Sequence, residues 1–152
     1  MKKRLLSGLL ALCMVFSLFP VSVFAAENNT EGGNSTSAVT YDLSGLTSSL
    51  AIKATAEGTY EVTKDGTAET QTTDHIVVTG TAPTGFALTV DGTAAAANVT
   101  LNDAVVDNST ASKKPGMAVS GTVNLTLEDE NALTGGSGCA GLQKNYVSSS
   151  DK

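Results

Sequence analysis

One short pattern recurs three times in the second half of this chain, and it constrains the fold more than any other feature. Gly85-Phe86-Ala87, Gly116-Met117-Ala118 and Gly138-Cys139-Ala140 each read Gly, an apolar residue, then Ala. After the first two comes a near-copied strand, Asn98-Val99-Thr100-Leu101-Asn102-Asp103 and Asn124-Leu125-Thr126-Leu127-Glu128-Asp129. The spacings are 116 − 85 = 31, 138 − 116 = 22 and, for the strand, 124 − 98 = 26. Lengths of this order suit single coils of a β-solenoid, where each repeat stacks on its neighbours and buries little alone. An open β-sandwich shows the same alternation and is the alternative fold, but its strands have no reason to copy one another in phase. Such a solenoid predicts recognition over an extended surface rather than in a deep catalytic pocket.

The alternation within the copied strand assigns its faces. Val99 and Leu101 share one face, and Asn98, Thr100 and Asn102 share the other; the copy sets Leu125 and Leu127 inward in the same way. Further β-rich runs lie at Leu50 to Ala54, Thr59 to Thr63, His75 to Thr79, Phe86 to Val90 and Ala104 to Asp107. Turn signals separate them at Glu57-Gly58, Asp65-Gly66, Thr79-Gly80, Asp91-Gly92, Lys114-Pro115-Gly116 and Gly135-Gly136. The one helical candidate, Ala94 to Ala97, is too short to nucleate. The expectation is an all-β chain: a short right-handed parallel β-helix of a few coils over residues 39–147, with a polar tail at 148–152.

The amino terminus reads as a targeting segment. Lys2, Lys3 and Arg4 precede a long apolar run from Leu5 to Phe24, and Val23-Phe24-Ala25 supplies the small residues of a cleavage site. Residues 1–25 are therefore expected to be a signal peptide, with cleavage after Ala26 or a retained membrane anchor as alternatives. Residues 26–38, rich in Asn, Gly, Ser, Thr and Glu, read as a linker. Cleavage removes three basic residues, leaving 9 − 3 = 6 against fifteen acidic ones, a net charge near −9. A surface of that sign repels nucleic acid and anionic lipid and favours divalent cations or basic partners. It also leaves no arginine, and Cys139 as the single cysteine, so no intrachain disulfide forms. Cys139 shares a slot with Phe86 and Met117 and is expected in the core; a reactive thiol is the alternative.

These residue types argue against catalysis. β-Elimination on acidic polysaccharides needs a strong base, usually Arg or Lys, near a cation. The mature chain has no Arg, and several of its lysines fall in turns or at the end. His75, the single histidine, opens the run Ile76-Val77-Val78 and reads as a strand-edge residue. No Gly-x-Ser-x-Gly elbow accompanies it. Oxygen donors are more numerous. Asn102, Asp103 and Asp107 lie around one expected corner, and Glu128, Asp129 and Glu130 around the next. Stacking would gather them, so Asp103, Asp107, Glu128 and Asp129 are the candidate ligands for Ca²⁺, which takes 6–8 oxygens. Aromatic platforms for sugar stacking are few: no Trp, and Tyr41, Tyr60, Phe86 and Tyr146 in the mature chain. Phe86, Tyr60 and Val62 are expected to face inward. Recognition would then rest on Asn, Thr and Asp hydrogen bonds, with no single carbohydrate ligand assigned.

Gly58-Thr59-Tyr60-Glu61-Val62, the block Asn98 to Asp107, Val123 to Glu128 and Gly138-Cys139-Ala140-Gly141-Leu142-Gln143 together resemble a family of secreted clostridial proteins. The resemblance covers about Leu50 to Lys144. It implies a right-handed parallel β-helix, a secreted or cell-surface location, and contact with polysaccharide, with calcium assisting the binding of acidic glycans. The chain departs from that pattern in length, ending soon after the third Gly-x-Ala. A solenoid needs a polar cap at each end. The expectation is therefore a non-catalytic carbohydrate-binding module, with self-association through an uncapped terminal coil. The alternative is a structural or adhesive surface module that binds protein, including a truncated piece of a larger surface protein.

Overall fold

The computed structural model describes residues 37–145. The expected signal peptide at 1–25, nearly all of the linker at 26–38 and the tail at 148–152 lie outside the described residues.

The described chain is all-β: nine strands in one mixed sheet and a single 3₁₀ turn at Leu43–Gly45. The strands are β1 (Ala38–Asp42), β2 (Ser49–Ala56), β3 (Thr59–Lys64), β4 (Thr67–Thr72), β5 (His75–Thr81), β6 (Ala87–Asp107), β7 (Met117–Glu128), β8 (Ala132–Thr134) and β9 (Leu142–Lys144). Most of the pairing is parallel, which differs from two facing antiparallel layers. Three parallel ladders account for it. In the first, Leu50 of β2 stands beside Leu88 of β6, Leu88 beside Met117 of β7, and Met117 beside Leu142 of β9. In the second, Val39 of β1 pairs with Ile76 of β5, Ile76 with Val99 of β6, and Val99 with Leu125 of β7. In the third, Thr81 pairs with Val105 and Val105 with Ala132.

The 26-residue copy is a true register repeat. Asn98, Val99, Thr100 and Leu101 lie directly beside Asn124, Leu125, Thr126 and Leu127. The Gly-x-Ala triplets are not in register. Met117 stands opposite Leu88 and Leu142, so the first ladder steps by 117 − 88 = 29 and 142 − 117 = 25 residues. Phe86 is buried two residues ahead of Leu88, whereas Cys139 is only half-buried, in the loop before β9. The expected core column of Phe86, Met117 and Cys139 is thus corrected. Loop lengths differ between rungs, and a triplet that straddles a loop drifts out of phase with the strand that follows. The 29-residue step exceeds the 26-residue one because β6 carries extra residues between Gly92 and Ala97 that β7 lacks. Asp91-Gly92 is consequently no turn; it lies within β6, and the Ala94 to Ala97 stretch is extended rather than helical.

One apolar core serves all three ladders. Leu50, Ile52, Leu88, Val90 and Met117 from the first, Ile76, Val78, Val99 and Leu101 from the second, and Ala104 and Val106 from the third belong to one cluster. β2 and β5 alternate buried and more exposed residues, as the period-2 pattern demands. Rungs approach closely at Gly92 and its partner Gly121. A Cβ on Gly92 would collide with the Thr122 carbonyl oxygen. The chain turns at the end of the second ladder through left-handed residues on successive rungs: Gly80 (φ 79°), Asp103 (φ 51°) and Asp129 (φ 54°). Aspartate tolerates that conformation better than most side chains.

The two ends of the core differ. At the amino-terminal end, β2, β3 and β4 form an antiparallel meander, with Tyr60 and Val62 of β3 fully buried as expected. Asp65 (φ 46°) and Gly66 (φ 85°) make the two-residue loop between β3 and β4, where both positions need positive φ. β4, Thr-Ala-Glu-Thr-Gln-Thr, carries no large apolar residue and so gives no strand signal in the sequence. At the other end, the outer side of β7 from Ser120 to Glu128 has no neighbouring strand among the described residues. Leu127, expected inward, is 63% exposed, while its register partner Leu101 is 0% exposed. The inward face is kept, and no strand among the described residues lies over it.

Candidate functional site

The outward face of the first ladder holds a shallow depression among the described residues. Its floor comes from a column in which Ala51 precedes Thr89, Thr89 precedes Ala118, and Ala118 precedes Gln143 on successive rungs. Ala118 is a methyl group between two longer side chains, so the surface dips there. The hollow measures about 180 Å³ and is lined by Thr89, Ala118, Gln143, Asn145, Lys114 and Pro115, with Phe86 beneath. Sites that enclose drug-sized ligands run to roughly 300–1,000 Å³. This one takes a single ring or a chain edge, not an enclosed substrate.

The wall at Lys114-Pro115 is held from below and above. Asn108, fully buried, donates from Nδ2 to the Phe86 carbonyl at 2.9 Å and the Pro115 carbonyl at 2.7 Å. From the next rung, Gly136 N–H donates to the Lys114 carbonyl at 2.7 Å, and Lys113 N–H donates to the Ser137 carbonyl. The Lys114 ammonium itself donates to the Gly85 carbonyl, which keeps its charge at the rim of the hollow. Opposite, Gln143 Nε2 donates to Asn145 Oδ1 at 3.2 Å, and Asn145 N–H donates to the Val119 carbonyl. The result is one cation, two amides and a hydroxyl around a small apolar floor. Nothing in the sequence pattern singled these residues out. The signal that existed was the small residue Ala118 at an outward β position flanked by polar ones.

A second polar surface lies on the outward face of the second ladder. Thr40, Val77, Thr100 and Thr126 form one column. Beside it, Asn124 Nδ2 donates to Asn98 Oδ1 at 2.8 Å, and Asn98 Nδ2 donates to the Asp74 carbonyl at 3.2 Å. His75 immediately precedes Ile76, the partner of Val99, so it stands in the same column as Asn98. These amides are largely occupied with one another, which stiffens the face.

The candidate metal ligands divide into two places. Asp103 and Asp129 occupy equivalent corners, Glu130 N–H donates to Asp103 Oδ1 at 3.3 Å, and Asn102 Nδ2 donates to Glu128 Oε2 at 3.1 Å. Asp107 lies beyond the corner, beside Thr134, where its carboxylate accepts from Ser109 N–H at 2.9 Å. That backbone hydrogen bond lowers the Asp107 carboxyl pKa. Among the described residues, no three His, Cys, Asp or Glu side chains gather as a metal-holding group. The corner therefore offers scattered oxygens and no closed cage for Ca²⁺.

Two other acidic groups serve the framework. Asp65 accepts from the backbone N–H groups of Thr47, Ser48 and Ser49 at 2.7–3.0 Å, tying the hairpin tip to the start of β2. These bonds, that from Ser49 first, hold its carboxyl well below the usual carboxylate range. Glu69 accepts from Tyr41 Oη at 2.7 Å and pairs with Lys64 at 3.0 Å. Burial, then the Glu69 hydrogen bond, pushes the Tyr41 phenol up.

Comparison with known protein families, with curated proteins and with solved structures finds no match to this chain. Among the described residues, no helix is long and apolar enough to cross a membrane.

Proposed function

We propose that this is a secreted, non-catalytic carbohydrate-binding module whose three parallel ladders wind as a short right-handed β-helix, released after a signal peptide at residues 1–25. The observation that carries the reading is the hollow at Ala118, with Lys114 on one rim and Gln143 and Asn145 on the other. A carboxylated sugar fits that chemistry: its charge meets Lys114, its hydroxyls meet the two amides and Thr89, and its C–H edge rests on Ala118 and Pro115. Away from Lys114 the net charge is negative, so an acidic glycan is held at one point rather than along a stripe. The resemblance to secreted clostridial β-helix proteins supports the same assignment. Calcium enters as a bridge between the glycan and the corner at Asp103, Glu128 and Asp129, with the glycan completing a ligand set that the corner leaves open.

A glycan array probed with the secreted protein, with and without a chelator, tests this. Acidic glycans should score above neutral ones, and Lys114→Gln should lower that signal at least tenfold with far-UV circular dichroism unchanged. Chelation should weaken binding without abolishing it. No glycan signal in either condition would favour the second reading, a structural or adhesive module that binds protein. The outer side of β7 from Ser120 to Glu128, which pairs with no strand among the described residues, supports that reading, since an uncovered strand edge is a template for pairing.

A further inference from the structure

The structure assigns Gly85 the task of holding the Lys114 ammonium in place before any ligand arrives, so that the rim of the hollow presents a ready-made seat for a single carboxylate. The assignment rests on the glycan reading above and names the residue that positions its one cation. A lysine ends on a flexible four-carbon stem, and an exposed one loses side-chain entropy when it meets a carboxylate. Lys114 is exposed, yet its backbone and its tip are both fixed. At the backbone, Lys113 is left-handed (φ 56°), Pro115 restricts Lys114 to extended geometry, and Gly136 N–H donates to the Lys114 carbonyl at 2.7 Å. At the tip, the ammonium donates to the Gly85 carbonyl.

Gly85 can hold the ammonium because of the turn it occupies. Phe86 N–H donates to the Pro83 carbonyl at 3.2 Å, closing a four-residue turn with Gly85 third, at φ 77°. A turn position with positive φ is filled by Gly or Asn. The conformation of Gly85 sets the direction of its carbonyl, and here that direction meets Lys114. Space does not demand the glycine: beyond its chain neighbours, a Cβ there would meet nothing nearer than Lys114 Nζ, 4.0 Å away. Backbone conformation alone excludes other side chains, so Gly85 can be changed without crowding the hollow. An ammonium has three donors. Gly85 occupies one, which leaves two for the carboxylate of an acidic sugar, with Gln143 and Asn145 across the hollow for its hydroxyls. Ordering Lys114 in the free protein removes an entropic cost that binding would otherwise carry.

The test uses two readouts on the full secreted chain. One is the rate of reductive methylation at each lysine, read by peptide mass spectrometry without glycan; the other is affinity for a galacturonic acid trisaccharide. Lys113, the exposed neighbour, is the internal reference. Lys114 should react at least about threefold more slowly than Lys113, because its hydrogen bond to Gly85 must break first. Gly85→Val, which cannot hold the left-handed turn, should erase that difference and weaken trisaccharide binding about tenfold. Gly85→Asn, which tolerates the turn, should preserve both. Gly85→Ala should fall between them, and it replaces the valine variant if circular dichroism shows that the latter does not fold. With Lys114→Gln already in place, Gly85→Val should weaken binding no further, whereas a purely structural glycine would weaken it in either background. Equal reactivity of the two lysines in the parent chain, a Gly85→Val variant that keeps Lys114 protected, or additive losses in the double variant would each overturn the assignment. If Lys114→Gln leaves trisaccharide binding unchanged, the glycan reading fails instead, and the methylation rates still decide the role of Gly85.

Discussion

Truncating Leu101 and Leu127 to alanine separates a true stacked repeat from a merely similar sequence. The two residues are identical, occupy the same place in the copied strand and lie side by side in the sheet. Their environments are opposite: Leu101 is 0% exposed and Leu127 is 63% exposed. Removing a fully buried leucine side chain costs roughly 2–5 kcal/mol, combining lost transfer energy with the cavity left behind. At Leu127 only about a third of the surface is covered, and no enclosed cavity forms. Its loss should therefore stay below about 1 kcal/mol, a third of the ~1.5–3 kcal/mol for complete burial. For a domain of this size these figures correspond to melting-point drops of roughly 10 °C or more and less than about 4 °C. Urea and thermal unfolding should be followed by far-UV circular dichroism, since the chain has no Trp. Equal losses at the two sites would refute the reasoning, because they would require Leu127 to be as deeply covered as Leu101.

The other predictions concern the framework and the site. Asn108→Ala should cost roughly 1–3 kcal/mol by leaving the Phe86 and Pro115 carbonyls unpaired, and should weaken glycan binding by loosening the Lys114 wall; unfolding and array signal check both. Gly92→Ala should destabilise by about 1–3 kcal/mol or more, since its methyl group would meet the Thr122 carbonyl of the adjacent rung, and a neutral result would contradict the close approach there. Asp65 has a pKa lowered by folding, so its contribution is present above the ordinary carboxylate range and fades as pH falls below it. Asp65→Asn should consequently lose stability near pH 6, with the difference from the parent chain shrinking steadily as pH falls through and below the ordinary carboxylate range, read from urea midpoints at each pH.

Much of the β architecture was legible in the residues, and the reasons are specific. The copy of Asn98 to Leu101 at Asn124 to Leu127 showed the register because both segments lie wholly within strands and the intervening loops sum to a fixed 26 residues. Tyr60 with Val62, and Val99 with Leu101, gave their inward face by simple alternation. The Gly-x-Ala triplets misled because they straddle loops of unequal length, and Cys139 fell outside the column as a result. Leu127 could not be told from Leu101, since exposure at the end of a stack depends on whether another rung follows. The hollow at Ala118 was invisible for a related reason: three residues from three rungs, Thr89, Ala118 and Gln143, meet only once the offsets of 29 and 25 are known. Asp103 and Asp129 turn the chain at equivalent corners with Glu128 beside them, whereas Asp107 belongs to the next ladder, beside Thr134.

The stacking of rungs in parallel register is the claim on which the core and the hollow both depend. Interstrand nuclear Overhauser contacts in the isotope-labelled protein measure it directly. The account predicts parallel-type contacts linking Val99 to Leu125 and Leu88 to Met117, with Val99 also linked to Ile76 on its other side. Close Hα–Hα contacts of the antiparallel kind between the β6 and β7 segments, or a register that departs from these pairs, would contradict it.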